Sequence, residues 1–179
     1  MTRSKNSEST ANSRYASSLN VPGYRIREGR TADGAAVGAM WRELMAMHQS
    51  LDARFIVAPD GEARYIRHAQ EMTRSRDSRV LIAEDIDTGK PIGYVIGEVQ
   101  MRPPMALPGA YGFISDIFVS EAWRQNGVGS ALFEQMRAWF ITRRCRAIEL
   151  YIAEANPDST AFWEAMGLTS FLKLMHIDL

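Results

Sequence analysis

A chain of 179 residues, 46% apolar and 23% charged, has the size and composition of one ordinary globular domain that buries about two thirds of its unfolded surface. Lys plus Arg equals Asp plus Glu at 21 each, which excludes the global basic field of a protein devoted to nucleic acid. The single cysteine, Cys145, excludes an internal disulfide and a multi-cysteine metal cage; His48, His68 and His176 are scattered, and no metal is expected.

Residues 1–22 are dominated by Ser, Thr and Asn and are expected to form a disordered tail, leaving 23–179 as one domain. The tail lacks the apolar core of a signal peptide, and no run approaches the roughly 20 apolar residues of a membrane helix. The expected setting is reduced and cytoplasmic, with neither membrane nor nucleic acid as partner. Tyr24 to Glu28 reads as a strand. Asp33 is placed to cap a helix whose apolar positions Val37, Met40, Trp41, Leu44, Met47 and Leu51 follow helical spacing. Pro59-Asp60-Gly61 opens a second, more charged helix through about Thr73, expected at the surface.

Val80 to Ala83 and Ile92 to Val99 are rich in branched residues and flank the turn Asp87-Thr88-Gly89-Lys90-Pro91, so they should pair as a hairpin. The proline-rich Arg102 to Gly109 reads as a loop leading into a strand from Tyr111 to Val119. Then comes Arg124-Gln125-Asn126-Gly127-Val128-Gly129-Ser130, followed by a helix to about Thr142 with Val128, Leu132, Met136, Trp139 and Phe140 on one face. Ala147 to Ile152 is the next strand. Asn156-Pro157 has the chemistry of a helix start, Gly167 that of its end, and Thr169 to Leu179 reads as a last strand. The order β-α-α-β-β-β-α-β-α-β implies an α/β fold with a mixed sheet.

The stretch from Arg124 to Ser130 is the most informative. Gly127 and Gly129 let the backbone approach a ligand, and the following helix adds unpaired N–H groups and the positive end of its dipole, a combination suited to a phosphate. A nucleotide P-loop would need Gly-Lys-Ser/Thr, and a dinucleotide fold Gly-x-Gly-x-x-Gly after a first strand; neither occurs. A plain glycine-softened strand-to-helix turn is the competing explanation of these residues alone.

Over about residues 24–179 the chain resembles the Gcn5-related N-acetyltransferases. It has their Arg-x-x-Gly-x-Gly after an apolar strand ending in Val, and its Asn156 to Leu168 segment is similar to their Asn…Ala-x-Phe-Tyr-x-x-x-Gly-Phe segment. The resemblance implies a mixed, mostly antiparallel sheet with splayed central strands, flanked by about four helices. It also implies acetyl-coenzyme A bound between Tyr111–Val119 and Ala147–Ile152 as cosubstrate. The backbone of Ile117, Phe118 and Val119 would hold the pantetheine arm. Arg124, Gln125, Asn126, Gly127, Val128, Gly129 and Ser130 would hold the pyrophosphate, and Asn156 and Phe162 would flank the arm and thiol. Each has a simpler structural explanation: sheet core for Ile117 and Val119, helix capping for Asn156, core packing for Phe162 and Trp163.

The chain departs from its relatives where protons move. An amine of pKa near 10 gives up its proton at pH 7 at a cost of about 4 to 5 kcal/mol unless the site helps. The positions at which relatives carry a basic Glu fall on Phe113, Ser115 and Tyr151, and the Tyr that serves them as acid falls on Trp163, whose indole is only a donor. Three routes stay open. Tyr151 could protonate the leaving thiolate while Ser115 or Glu98 holds a relaying water, with Glu98 as base. Catalysis could rest on positioning alone, with bulk water taking the proton. Or the protein binds acyl-coenzyme A without turning it over. Strand alternation groups Asp116 with Ile114 and Phe118, opposite Ser115 and Ile117, and suggests a structural hydrogen-bonding role. Cys145 lies among Arg143, Arg144 and Arg146 at a helix end, and His48 and Asp52 share a helix face as a surface pair.

The function expected is N-acetyl transfer to a primary amine by direct attack, with the Phe118 or Val119 N–H stabilising the oxyanion. A non-catalytic acyl-coenzyme A-binding or regulatory domain is the alternative, and a nucleotide-binding module a third. The acceptor is expected to be a small molecule, and a homodimer stays open.

Overall fold

The computed structural model describes residues 23–103, 105 and 109–177. The expected disordered tail of residues 1–22, and most of the tip of the proline-rich loop, lie outside the described residues. Five strands form one open sheet in the order β1-β2-β3-β4-β5: β1 (Tyr24–Glu28), β2 (Ser78–Asp85), β3 (Pro91–Met101), β4 (Ala110–Val119) and β5 (Ile148–Leu150). The first four pair antiparallel and β5 joins β4 in parallel. Four helices accompany them: α1 (Gly34–Leu51), α2 (Gly61–Met72), α3 (Val128–Thr142) and α4 (Pro157–Ala165). This is the mixed α/β architecture that the sequence implied.

Branched and aromatic residues on β2 and β3 alternate between two cores. On one face Leu81, Ala83, Val95 and Ile114 pack with Leu132, Phe133, Met136 and Phe140 of α3 and with Trp163 of α4. On the other, Val80, Ile82, Tyr94, Ile96 and Phe118 meet Val37, Met40 and Leu44 of α1 and Tyr65 and Ala69 of α2. Glycine sets the spacing of the first layer: a Cβ on Gly112 would lie 2.5 Å from the Phe140 ring, and one on Gly97 would lie 2.7 Å from Met136. In the second layer Gly38 brings α1 against Ile66, so α2 does not merely coat the surface as its charge suggested.

Some expectations fail for identifiable reasons. Asp33 stands before α1 but does not cap it, because its carboxylate is taken by the Arg27 guanidinium at 2.8 Å and by the Arg30 N–H at 2.7 Å. The strand read from Ala147 to Ile152 is only Ile148–Leu150, since β4 and β5 pair just at Gly112–Ile114 before they part. Thr169 to Ile177 form no strand, and Phe171, Leu172, Leu174, Met175 and Ile177 are each at least 76% exposed; with no strand partner, apolar residues alone do not order a segment. Among the described residues no helix is long and apolar enough to cross a membrane.

Candidate functional site

Strand β4 runs on for five residues after its last pairing with β5, so its edge from Ser115 to Val119 opens onto a gap between the two strands. The gap leads to the loop before α3. There Gln125 and Gly127 take left-handed φ values of +61° and +78°, which turn the chain sharply into the helix. The first bond of α3 runs from the Ala131 N–H to the Gly127 carbonyl, so the Val128, Gly129 and Ser130 amides precede the helical ladder. Arg124 is turned back on the strand, its Nε donating to the Val119 carbonyl at 3.0 Å, and Asn126 Nδ2 donates to the Arg124 carbonyl at 2.9 Å. Phe162 packs over the helix start: a Cβ on Gly129 would lie 3.3 Å from its ring. Asn156 caps α4, its Oδ1 accepting from the Ser159 N–H at 3.0 Å, while its amide nitrogen takes no part in the cap.

The three residues expected to move protons have Phe113 of β4 as a common neighbour. Ser115 sits at a β-bulge: Ile96 pairs with Asp116 and Gly97 with Ile114, which leaves Ser115 as the extra residue, its hydroxyl 3.5 Å from the Ile96 carbonyl. Glu98 pairs with Phe113 across β3 and β4. Tyr151 lies just past the end of β5, 80% exposed, its ring edge-on to Phe113 at 5.5 Å. Trp163 is sealed in the core at 4% exposure against Phe133, in line with the core packing expected of it.

The bulge also overturns the strand alternation. Beyond Ser115 the faces exchange, so Ile114 and Ile117 both serve the α3 core while Asp116 turns with Phe118 toward α1 and α2. There Asp116 Oδ2 accepts from the Tyr65 hydroxyl at 2.7 Å, and that hydroxyl lies 3.4 Å from the hydroxyl of Tyr94. Burial holds the Asp116 acid above the ordinary carboxylate range, against the opposing effects of the Tyr65 hydrogen bond and of His68 and His48. His48 stacks on Phe55 at 4.8 Å with its buried Nδ1 lacking a hydrogen bond, and burial pushes its pKa down. It does not pair with Asp52, which is engaged by Arg54 Nε at 2.9 Å. Cys145 is pushed up by burial, so its neighbouring arginines do not make it a reactive thiolate. Tyr65 and His68 also line a cavity of about 320 Å³ between α1, α2 and their connection.

The model of the "Acetyltransferase (GNAT) family" matches residues 42–168. The chain belongs to this family. No curated protein sequence matches it. Among solved structures, it is similar to a tetramutant of the BH1408 protein from Bacillus halodurans, at 22% identity and TM-score 0.76, over 87% of this chain and 99% of that one. It is also similar to the aminoglycoside N-acetyltransferase AAC(6')-Iy in complex with CoA, at 16% identity and TM-score 0.67, over 87% and 94%. A third is the aminoglycoside 6'-N-acetyltransferase AAC(6')-Ih from Acinetobacter baumannii, at 18% and 0.68, over 88% and 98%.

In this GNAT chain the open strand edge leads into the glycine-containing loop and Phe162 packs over the helix start, while Asn156 caps α4 and Glu98, Ser115 and Tyr151 share Phe113 as a neighbour. The Asp116–Tyr65–Tyr94 group was not anticipated as a unit. Its one signal in the sequence is a carboxylate in an apolar strand; alternation grouped that carboxylate correctly with Phe118 and opposite Ile117, and wrongly with Ile114.

Proposed function

We propose that the chain is an acetyl-coenzyme A-dependent N-acetyltransferase that transfers acetyl to a primary amine of a small molecule by direct attack. The observation that carries this reading is the open β4 edge leading into the turn at Gly127, where three amides precede the helical ladder. Such a turn suits a pyrophosphate: a side chain at Gly127 would be strained, and one at Gly129 would press on Phe162. Ile117, Phe118 and Val119 would hold the pantetheine through their backbone, Arg124 through Ser130 the pyrophosphate, and Asn156 and Phe162 the flank of the arm. Acetyl-coenzyme A supplies a carbonyl activated as a thioester. The Val119 N–H would donate to that carbonyl, since the register of β4 against β3 turns the Phe118 N–H to Tyr94; Tyr151 would protonate the departing thiolate, and Glu98 with Ser115 would relay the amine's proton.

The test is coenzyme A release with a panel of amines, expected to exceed the no-amine rate. Release that never rises above that rate would sink the enzyme reading and favour the second one, a non-catalytic acyl-coenzyme A-binding domain, which the burial of Trp163 supports. Tyr151→Phe should lower kcat with little change in acetyl-coenzyme A affinity, and an unaltered kcat removes Tyr151 from the mechanism.

A further inference from the structure

We infer that the acceptor is a primary monoamine with an aromatic or branched aliphatic body, seated in the cavity between α1 and α2. This rests on the acetyl-transfer reading above and deepens it. The cavity has about 320 Å³, the lower end of the size range of ligand pockets, about 300–1,000 Å³. Trp41, Met45, Ile56 and Val57 line it with Tyr65, and Trp41 and Tyr65 stack face to face at 4.6 Å with their planes 10° apart, a rigid aromatic pair on one side of the cavity.

Charge decides what such a lining admits. Among the described residues no carboxylate lines the cavity, and the one permanently charged side chain in its lining is Arg64, held by Asp60 at 2.9 Å. An acceptor with several ammonium groups would surrender water there and meet apolar surface and a guanidinium in exchange. The Asp116 carboxyl is not part of the lining: it lies behind Tyr65, whose hydroxyl donates to it at 2.7 Å. Its position on β4, next to the Ser115 bulge, places it at the strand whose far edge opens onto the gap. An apolar body thus finds matching surface in the lining, while every ammonium group beyond the one that reacts would be left there without a counter-charge.

The experiment has two arms, both on the full chain. In the first, 2-phenylethylamine and kanamycin are titrated separately with tryptophan fluorescence as readout. Saturable binding of 2-phenylethylamine is expected, weakened about tenfold by Ala58→Trp, which fills the cavity from an exposed position on its rim. In the second, coenzyme A release is measured with 2-phenylethylamine, isoamylamine, ethanolamine and kanamycin. The two apolar amines are expected to exceed ethanolamine in kcat/KM by about tenfold or more, with Ala58→Trp raising their KM and leaving that of acetyl-coenzyme A unchanged. Tighter binding or faster turnover of kanamycin overturns the inference and leaves acetyl transfer standing. Failure of 2-phenylethylamine to bind overturns it as well. Binding without release by any amine overturns the acetyl-transfer reading, and with it the cavity's role as an acceptor seat.

Discussion

The two faces of the sheet are built on different terms. Against α3 the layer is wholly apolar, with Leu132, Phe133, Met136 and Phe140 each at 1% exposure or less. Against α1 and α2 an equally deep layer includes a carboxylate, two phenols and a histidine nitrogen without a hydrogen bond. Buried polar groups cost free energy unless they are paired, so the second face carries a burden that packing alone does not explain. The difference teaches where to look for chemistry: the α3 face holds the scaffold and the start of the helix, and the other face holds the buried titratable groups.

The largest expected effect tests the scaffold face. Phe140→Ala should cost about 3–5 kcal/mol in urea unfolding, because the ring fills the space that Gly97 and Gly112 leave. A loss below 1 kcal/mol would show that this layer is not closely packed. Next is Gly129→Glu, which sets a carboxylate in the first turn of α3 and should weaken acetyl-coenzyme A binding at least 100-fold, about 2.7 kcal/mol, with the fold retained. Unchanged affinity by calorimetry contradicts the assignment of that turn. On the polar face, Tyr65→Phe removes a single oxygen and should cost about 1–3 kcal/mol, because it deprives Asp116 of its donor. Adding Asp116→Asn should recover part of that loss, and strict additivity in the double-mutant cycle would show that the two groups are not coupled.

The smallest effect lies at the sheet edge, away from both layers. Arg27 donates hydrogen bonds that hold Asp33 and Glu84 below the ordinary carboxylate range. Depressed carboxylates stabilise the fold above their unfolded pKa, about 4, and that contribution is lost as pH falls from there toward the folded values. The urea midpoint should therefore drop below about pH 4, and drop less in Arg27→Met; an equal drop in both would remove this cluster from the acid response.

What was legible in the sequence follows from how local the physics is. The turn at Gly127, the hairpin at Gly89 and the cap at Asn156 depend on a few neighbouring residues, and each appears where its residues point. The absence of a C-terminal strand was not legible, because Phe171 to Ile177 have strand-like composition but pair with no strand of the sheet, and strand pairing is not a property of composition. Asp116 was visible as a residue but not as a site. Its face depends on the bulge at Ser115, which exists only in the register of β4 against β3.

That extra residue makes β4 a switch that a single codon can throw. Deleting Ser115 would restore simple alternation and exchange the faces of one half of the strand relative to the other. Either Ile114 would leave the α3 core, or the carboxylate now beside Tyr65 would enter it. An acid could therefore pass from one side of such a sheet to the other through a single insertion or deletion, without any residue being replaced. Descent by that route would leave homologues whose aligned letters agree while their chemistry faces opposite directions.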